Sequence, residues 1–300
     1  MDYIAKDNKI IFRNQSFDPK HIFECGQAFR WEKNEDGSYT NVAFGRVINV
    51  SKKDDIITLD NVTEEDFNNI WINYFDLKRD YDAIKEKLSN NETMKEAMDF
   101  GYGIRILNQD HFETIISLTI SANNQIPRIR KSIDIISREY GKEIGEYNGK
   151  IYYSFPDYET LSRARIEDMR EICRVGFRDK RIVETSQMIN SGEFNLEESK
   201  SYDSSKLYEE LIKFPGVGPK VASCIMLFAY GKGETFPVDV WIKRVMESLY
   251  IGHETSKKNI SILAKDIFGD YGGFAQQYLF YYGRENKIGK QISKLRQEIL

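Results

Sequence analysis

Hydrophobic periodicity changes once along this 300-residue chain, and that change limits the fold more than any other feature. Up to about residue 60 the pattern is strand-like. Val42, Phe44, Ile48 and Val50 share one parity, interrupted by Arg46, and Ile56-Ile57-Thr58-Leu59 follows as a short strand after a polar turn over 52–55. Asp36-Gly37 predicts a two-residue hairpin turn. Together these predict an antiparallel sheet with one buried face. Thr63, with Asp66 three residues on, predicts a helix start in the manner of a capping box. From there the period is about 3.6. Phe67, Ile70, Trp71 and Tyr74 share a helical face, followed by Ile84 and Leu88, then Ile115 and Leu118. Tyr147-Asn148-Gly149 and Phe155-Pro156-Asp157 break later helices. The expected fold is α+β: an N-terminal β-rich domain over 1–90, then an all-helical body over 91–300.

Charge and cysteine usage narrow the function. Lys and Arg total 43 against 47 Asp and Glu, a net charge of −4, which excludes coating of nucleic acid by bulk charge. A local basic face stays open. Cys25, Cys173 and Cys224 are too few and scattered for a disulfide framework or a four-thiolate zinc or iron–sulfur site. His21, His111 and His253 are equally dispersed. No metal and no cofactor are therefore expected. The N-terminus lacks a signal-peptide pattern, and the longest apolar run, Cys224 to Tyr230, falls far short of the ~20 residues that span a bilayer. A cytoplasmic monomer with no membrane partner is expected.

The segment from Leu207 to Val245 carries the chemistry. An amphipathic helix with Leu207, Leu211, Ile212 and Phe214 runs into Phe214-Pro215-Gly216-Val217-Gly218-Pro219-Lys220, and an apolar helix continues to Tyr230. Helix, Gly-x-Gly turn, helix is a helix-hairpin-helix pattern. Gly216 and Gly218 permit positive φ, and the amides at the next helix start suit phosphate. A dinucleotide-binding fingerprint is excluded, because Val221 stands at its third glycine and a helix precedes the turn. A plain interhelical loop is the remaining alternative for the turn by itself.

Lys220 and Asp239 decide between them. Lys220 opens the second helix, where the positive dipole end and partial burial are expected to lower its pKa and leave an amine able to form a Schiff base. Asp239 sits in the apolar run Phe236-Pro237-Val238-Asp239-Val240, where a carboxylate would stabilise an oxocarbenium ion or receive the lysine's proton. Taken singly, Lys220 also reads as a phosphate contact and Asp239 as a helix N-cap.

With these motifs the chain resembles the helix-hairpin-helix DNA glycosylases, and more narrowly the 8-oxoguanine DNA glycosylase/lyases of the eukaryotic type and their bacterial relatives. The resemblance runs from Gly26-Gln27-Ala28-Phe29-Arg30-Trp31 to Phe274-Ala275-Gln276-Gln277-Tyr278-Leu279-Phe280. It implies excision of 8-oxoguanine opposite cytosine from double-stranded DNA through a lysine Schiff base, followed by β-elimination. Lys220 matches the nucleophile and Asp239 the essential carboxylate. Cys224 and Phe280 match the pair that sandwiches a flipped base. Gly26 matches the carbonyl that reads the lesion: N7 of guanine accepts, whereas 8-oxoguanine carries a hydrogen there. Gln276 matches the amide that reads the purine's Watson–Crick edge. Asn123, Arg128 and Arg178 match residues that fill the gap and hold the orphaned cytosine, and Phe177 an aromatic wedge. Trp241 stands where eukaryotic members carry a histidine, and Gln125 and Pro127 also depart from the pattern. A glycosylase for another damaged base, or a non-catalytic helix-hairpin-helix DNA-binding protein, are the alternatives.

Overall fold

The computed structural model describes residues 1–289. The N-terminal part is a six-stranded antiparallel sheet of β1 (Tyr3–Lys6), β2 (Lys9–Arg13), β3 (Glu32–Lys33), β4 (Tyr39–Ala43), β5 (Arg46–Lys53) and β6 (Ile56–Asp60), in spatial order β1-β2-β6-β5-β4-β3. The turns explain the register. Asp7-Asn8 and Phe44-Gly45 each hold both residues at positive φ, 52° and 56°, then 50° and 68°. Such two-residue turns match the right-handed twist of paired strands. The stretch from Val42 to Val50, read as one strand from its parity, is thus a hairpin that turns at Phe44-Gly45. The Asp36-Gly37 turn is also longer than the sequence implies. Asn34 N–H bonds Ser38 O at 2.8 Å, and Gly37 takes φ +84° inside that loop.

One face of the sheet is buried. Ile10, Phe12, Ile48, Val50, Ile57 and Leu59 pack with the Pro19–Glu24 helix and an aromatic cluster of Phe23, Trp31, Trp71 and Phe75. Phe23 and Trp31 stack with ring centroids 3.6 Å apart. Thr63 caps the next helix by accepting from Asp66 N–H. This first core ends at Leu77, with Leu107 inserted from later in the chain.

The second core takes in Cys25 from the N-terminal part, runs on from Tyr81 and is mainly helical. Ile84, Leu88, Ile115 and Leu118 are all buried in it. The body is not all-helical, however: it carries a two-stranded hairpin, β7 (Glu143–Tyr147) and β8 (Lys150–Tyr153), turning at Asn148-Gly149. The helices His111–Ser121 and Pro219–Tyr230 pack at its centre and bury nearly all their side chains. Arg105 joins the two parts. Its buried guanidinium donates to the carbonyls of Ser16, Phe75, Asp76 and Arg79 and lies over the Tyr81 ring. A buried charge of this kind is tolerated because its donors are satisfied. Among the described residues no helix is long and apolar enough to cross a membrane.

Candidate active site

The helix Ser204–Leu211 leads into the glycine turn. Leu207, Leu211 and Phe214 are buried, but Ile212, grouped with them from its spacing, is exposed because the helix ends at Leu211 and the chain turns there. Of the two glycines only Gly216 requires its freedom: it holds φ +80°, and a Cβ there would lie 2.6 Å from the Arg181 side chain. Gly218 is extended, at φ −100°, and serves as N-cap of Pro219–Tyr230. The first intrahelical bond runs from Ala222 N–H to Gly218 O, 2.9 Å. The amides of Lys220 and Val221 therefore have no helical acceptor and face an incoming anion.

Lys220 and Cys224, one turn apart on that helix, open onto a cleft of about 670 Å³. Asp239, Gly26, Phe280, Asn123 and Arg128 line the same cleft, so most of the residues singled out from sequence converge. Four cations, Lys220, Arg128, Lys257 and Arg284, face it against one carboxylate, Asp239. The acidic chain thus carries a basic cleft. Lys257, Arg284 and Phe29 were not legible as cleft residues, since nothing local separates them from surface charge or core packing.

Asp239 takes the capping role that its position in the sequence allowed. It is the N-cap of Val240–Met246, its Oδ1 accepting from Ile242 N–H at 2.8 Å. Oδ2 has no protein donor among the described residues. Lys220 departs from expectation. Its ammonium is held above its ordinary range by the Cys224 sulfur and also by Asp239, with burial opposing. Burial pushes the Cys224 thiol up, with the neighbouring Lys220 ammonium opposing. Burial is outweighed by Cys224 and Asp239 acting together. In the DNA-free protein Lys220 is a cation.

Gly26 follows the Pro19–Glu24 helix at φ +86°, and a Cβ on it would meet Phe280 Cε1 at 3.1 Å and Arg284 Nη1 at 3.4 Å. Its conformation and its close approach to Phe280 both call for glycine. Phe280 belongs to the Gly272–Glu285 helix, with Gln276 one turn earlier. Gln276 lies in the protein rather than on its surface, 5% exposed, and its Oε1 is buried without a hydrogen-bond partner among the described residues. A buried, unmatched amide oxygen is a strong claim on a ligand donor.

The residues matched to the opposite strand divide in two. Arg128 is exposed and makes no side-chain hydrogen bond or ion pair among the described residues. Phe177 is 55% exposed, with the Arg178 and Arg181 guanidinium groups 4.2 and 5.1 Å from its ring centroid. Arg178 is instead buried, and its Nε, Nη1 and Nη2 donate to the carbonyls of Ala122, Val175 and Asn123. As placed, it braces the turn that holds Asn123 at φ +52° rather than offering a free guanidinium to a base. Pro127 sits in the first turn of the Ile126–Tyr140 helix, where its missing N–H is harmless. Trp241 lines the cleft with Arg244 over its ring, 5.4 Å from the centroid.

Comparison with known proteins agrees with this geometry. Residues 9–115 match the N-terminal domain of 8-oxoguanine DNA glycosylase, and 116–269 match the HhH-GPD superfamily of base excision DNA repair proteins. The chain is 48% identical to the Clostridium acetobutylicum 8-oxoguanine glycosylase/lyase, crystallised with double-stranded DNA containing cytosine opposite 8-oxoguanine. That likeness covers 96% of this chain and 99% of that one, with a TM-score of 0.93. It is 32% identical to a probable N-glycosylase/DNA lyase of Methanothermobacter thermautotrophicus, over 74% of this chain and 76% of that protein. It is 27% identical to the N-glycosylase/DNA lyase of Arabidopsis thaliana, over 86% and 75%. The glycine hairpin, the buried lysine beside it and these likenesses place the chain in the 8-oxoguanine DNA glycosylase/lyase family of the HhH-GPD superfamily.

Proposed function

We propose that this protein excises 8-oxoguanine paired with cytosine in double-stranded DNA through a Schiff base on Lys220, and then cleaves the strand by β-elimination. The observation that carries the reading is the convergence of Lys220, Cys224, Asp239, Gly26 and Phe280 on one basic cleft. The Lys220 ammonium first gives a proton to Asp239. The amine then attacks C1′ as the C1′–N9 bond breaks, and the base leaves with the electron pair and takes up the proton that Asp239 had accepted. Asp239, anionic again, offsets positive charge developing on the sugar. The secondary ammonium then passes one proton to O4′ as the C1′–O4′ bond breaks, which opens the ring and leaves a protonated Schiff base. Loss of the C2′ proton then releases the 3′-phosphate.

Recognition follows from donors and acceptors. A fixed Gly26 carbonyl attracts N7–H of the lesion and repels N7 of guanine. Cys224 and Phe280 offer the two faces between which a flipped base would sit. Asn123 and Arg128 fill the gap and hold the orphaned cytosine, with Phe177 as the wedge and Arg178 bracing their loop. The amides after Gly216 and Gly218 hold backbone phosphate.

Borohydride trapping with an 8-oxoguanine duplex tests the chemistry. A covalent adduct is expected with the native protein and is lost in Lys220→Gln; an adduct that persists in that variant refutes the assignment. Comparing C, A, G and T opposite the lesion tests the second half, and equal excision from all of them would eliminate the cytosine contacts.

A further inference from the structure

We propose that Gln277 is a positioning residue that sets lesion discrimination by fixing the peptide ahead of the Gly26 carbonyl; this rests on the reading of that carbonyl given above. Gln277 follows Gln276 on the Gly272–Glu285 helix but points elsewhere. It is 2% exposed, and its Nε2 donates to Cys25 O at 2.8 Å. Arg284, from the same helix, donates to Glu24 O at 2.6 Å. On the other side, Gln109 Nε2 donates to Gln27 O at 2.8 Å. The Gln27 side chain donates to Arg105 O and accepts from Leu107 N–H, both at 2.8 Å.

The peptides flanking Gly26 are therefore tied from two directions. Gly26 lines the cleft, and its carbonyl has no donor among the described residues. That is the arrangement a discriminating acceptor needs. A glycine at φ +86° has the freedom to rotate its carbonyl away, and only its neighbours prevent this. An acceptor that can rotate would tolerate either an N7 lone pair or an N7–H. One that is held repels the former. Gln277 is the tie that acts on the peptide bonded directly to Gly26, since Arg284 holds the carbonyl one residue earlier.

The test compares wild type with Gln277→Met, which keeps length but has no donor, and Gln277→Glu. Three readouts are needed: single-turnover excision of 8-oxoguanine opposite cytosine, competition binding of lesion against undamaged G·C duplex, and strand cleavage at a preformed abasic site. Abasic cleavage uses Lys220 but reads no base. In Gln277→Met, lesion excision and lesion preference should each fall about tenfold, the worth of one buried hydrogen bond and the acceptor it orphans. Abasic cleavage should stay within about twofold. In Gln277→Glu a carboxylate opposes the Cys25 carbonyl, so preference should be poor at neutral pH and recover on acidification, when the protonated acid donates again. That recovery also serves if Gln277→Met proves unstable. Equal losses on lesion and abasic substrates, or unchanged preference in both variants, would overturn the proposal. Wild-type protein that cleaves abasic DNA but shows no preference for 8-oxoguanine over guanine would instead overturn the underlying reading of Gly26.

Discussion

Asp239 is asked to do two things that substitution can separate. Its Oδ1 caps Val240–Met246 through Ile242 N–H at 2.8 Å, and its charge faces Lys220. Asparagine caps a helix as well as aspartate does, whereas alanine forfeits about 1 kcal/mol. Loss of the charge at the helix start removes a further ~0.3–1 kcal/mol in either variant. For a chain of this size each kcal/mol moves the melting midpoint by roughly 2–4 °C. Asp239→Asn should thus melt within about 3 °C of wild type, and Asp239→Ala a further 2–4 °C lower. Catalysis should not follow that order. Both variants lose the carboxylate that takes the lysine's proton and offsets charge on the sugar, so single-turnover excision should drop about 10²–10³-fold in each. Thermal melts paired with single-turnover rates decide the matter. If Asp239→Asn excises within tenfold of wild type, the carboxylate is only a cap and the assigned chemistry is wrong.

Three further outcomes follow from the same geometry. Gly26→Ala forces φ +86° on a residue with a Cβ placed 3.1 Å from Phe280, a strain of roughly 1–3 kcal/mol; lesion excision should fall while abasic-site cleavage survives, and equal loss of both would remove Gly26 from base recognition. Arg128→Ala should leave the melting midpoint unchanged and erode the preference for cytosine opposite the lesion. Arg178→Ala should lower the midpoint by several degrees, because it strips donors from the Ala122 and Asn123 carbonyls. Similar melts for the two arginine variants would refute this division of labour. Glu113, raised to about 7 by burial with Arg30 opposing, favours its protonated form in the fold. Its contribution is complete below the ordinary carboxylate range and declines as pH rises towards 7, by at most about 3 kcal/mol. Glu113→Gln should flatten stability between pH 5 and 7, as read by denaturant melts; parallel curves for the two proteins would refute the assignment.

Residues legible in the sequence were those whose role has a local signature. The Gly-x-Gly turn with a lysine two residues on pointed to the hairpin and to the proposed nucleophile together, because a tight turn and a helix start each restrict what can stand there. Gly26 and Phe280 stood out only through the resemblance, for they are far apart in sequence and meet in space at a separation where a Cβ would press on a ring. Arg178 shows the limit. Sequence identifies an arginine near Asn123 but not where its donors go, and the structure spends them on carbonyls. The Phe44-Gly45 turn was hidden because parity continues through a two-residue hairpin. Propensity and dipole arguments do not yield Lys220's raised pKa, because they contain neither the Cys224 sulfur one turn on nor the distant Asp239.

That raised pKa bears on how an acidic protein handles a polyanion. The net charge of −4 is a whole-chain sum, while the cleft sets four cations against one carboxylate. Phosphates entering such a cleft strengthen the hold of Lys220 on its proton, since more negative charge nearby favours the ammonium. Binding of DNA by itself therefore leaves the nucleophile masked. Burial is the one influence on Lys220 that acts the other way. A base lodged between Cys224 and Phe280 would expel water from around the amine and deepen that burial, and Asp239 is placed to accept the proton released. Undamaged duplex lying across the cleft supplies the phosphates without the inserted base. On the proposed mechanism, Lys220 is thus expected to react only with nucleotides that have left the stack.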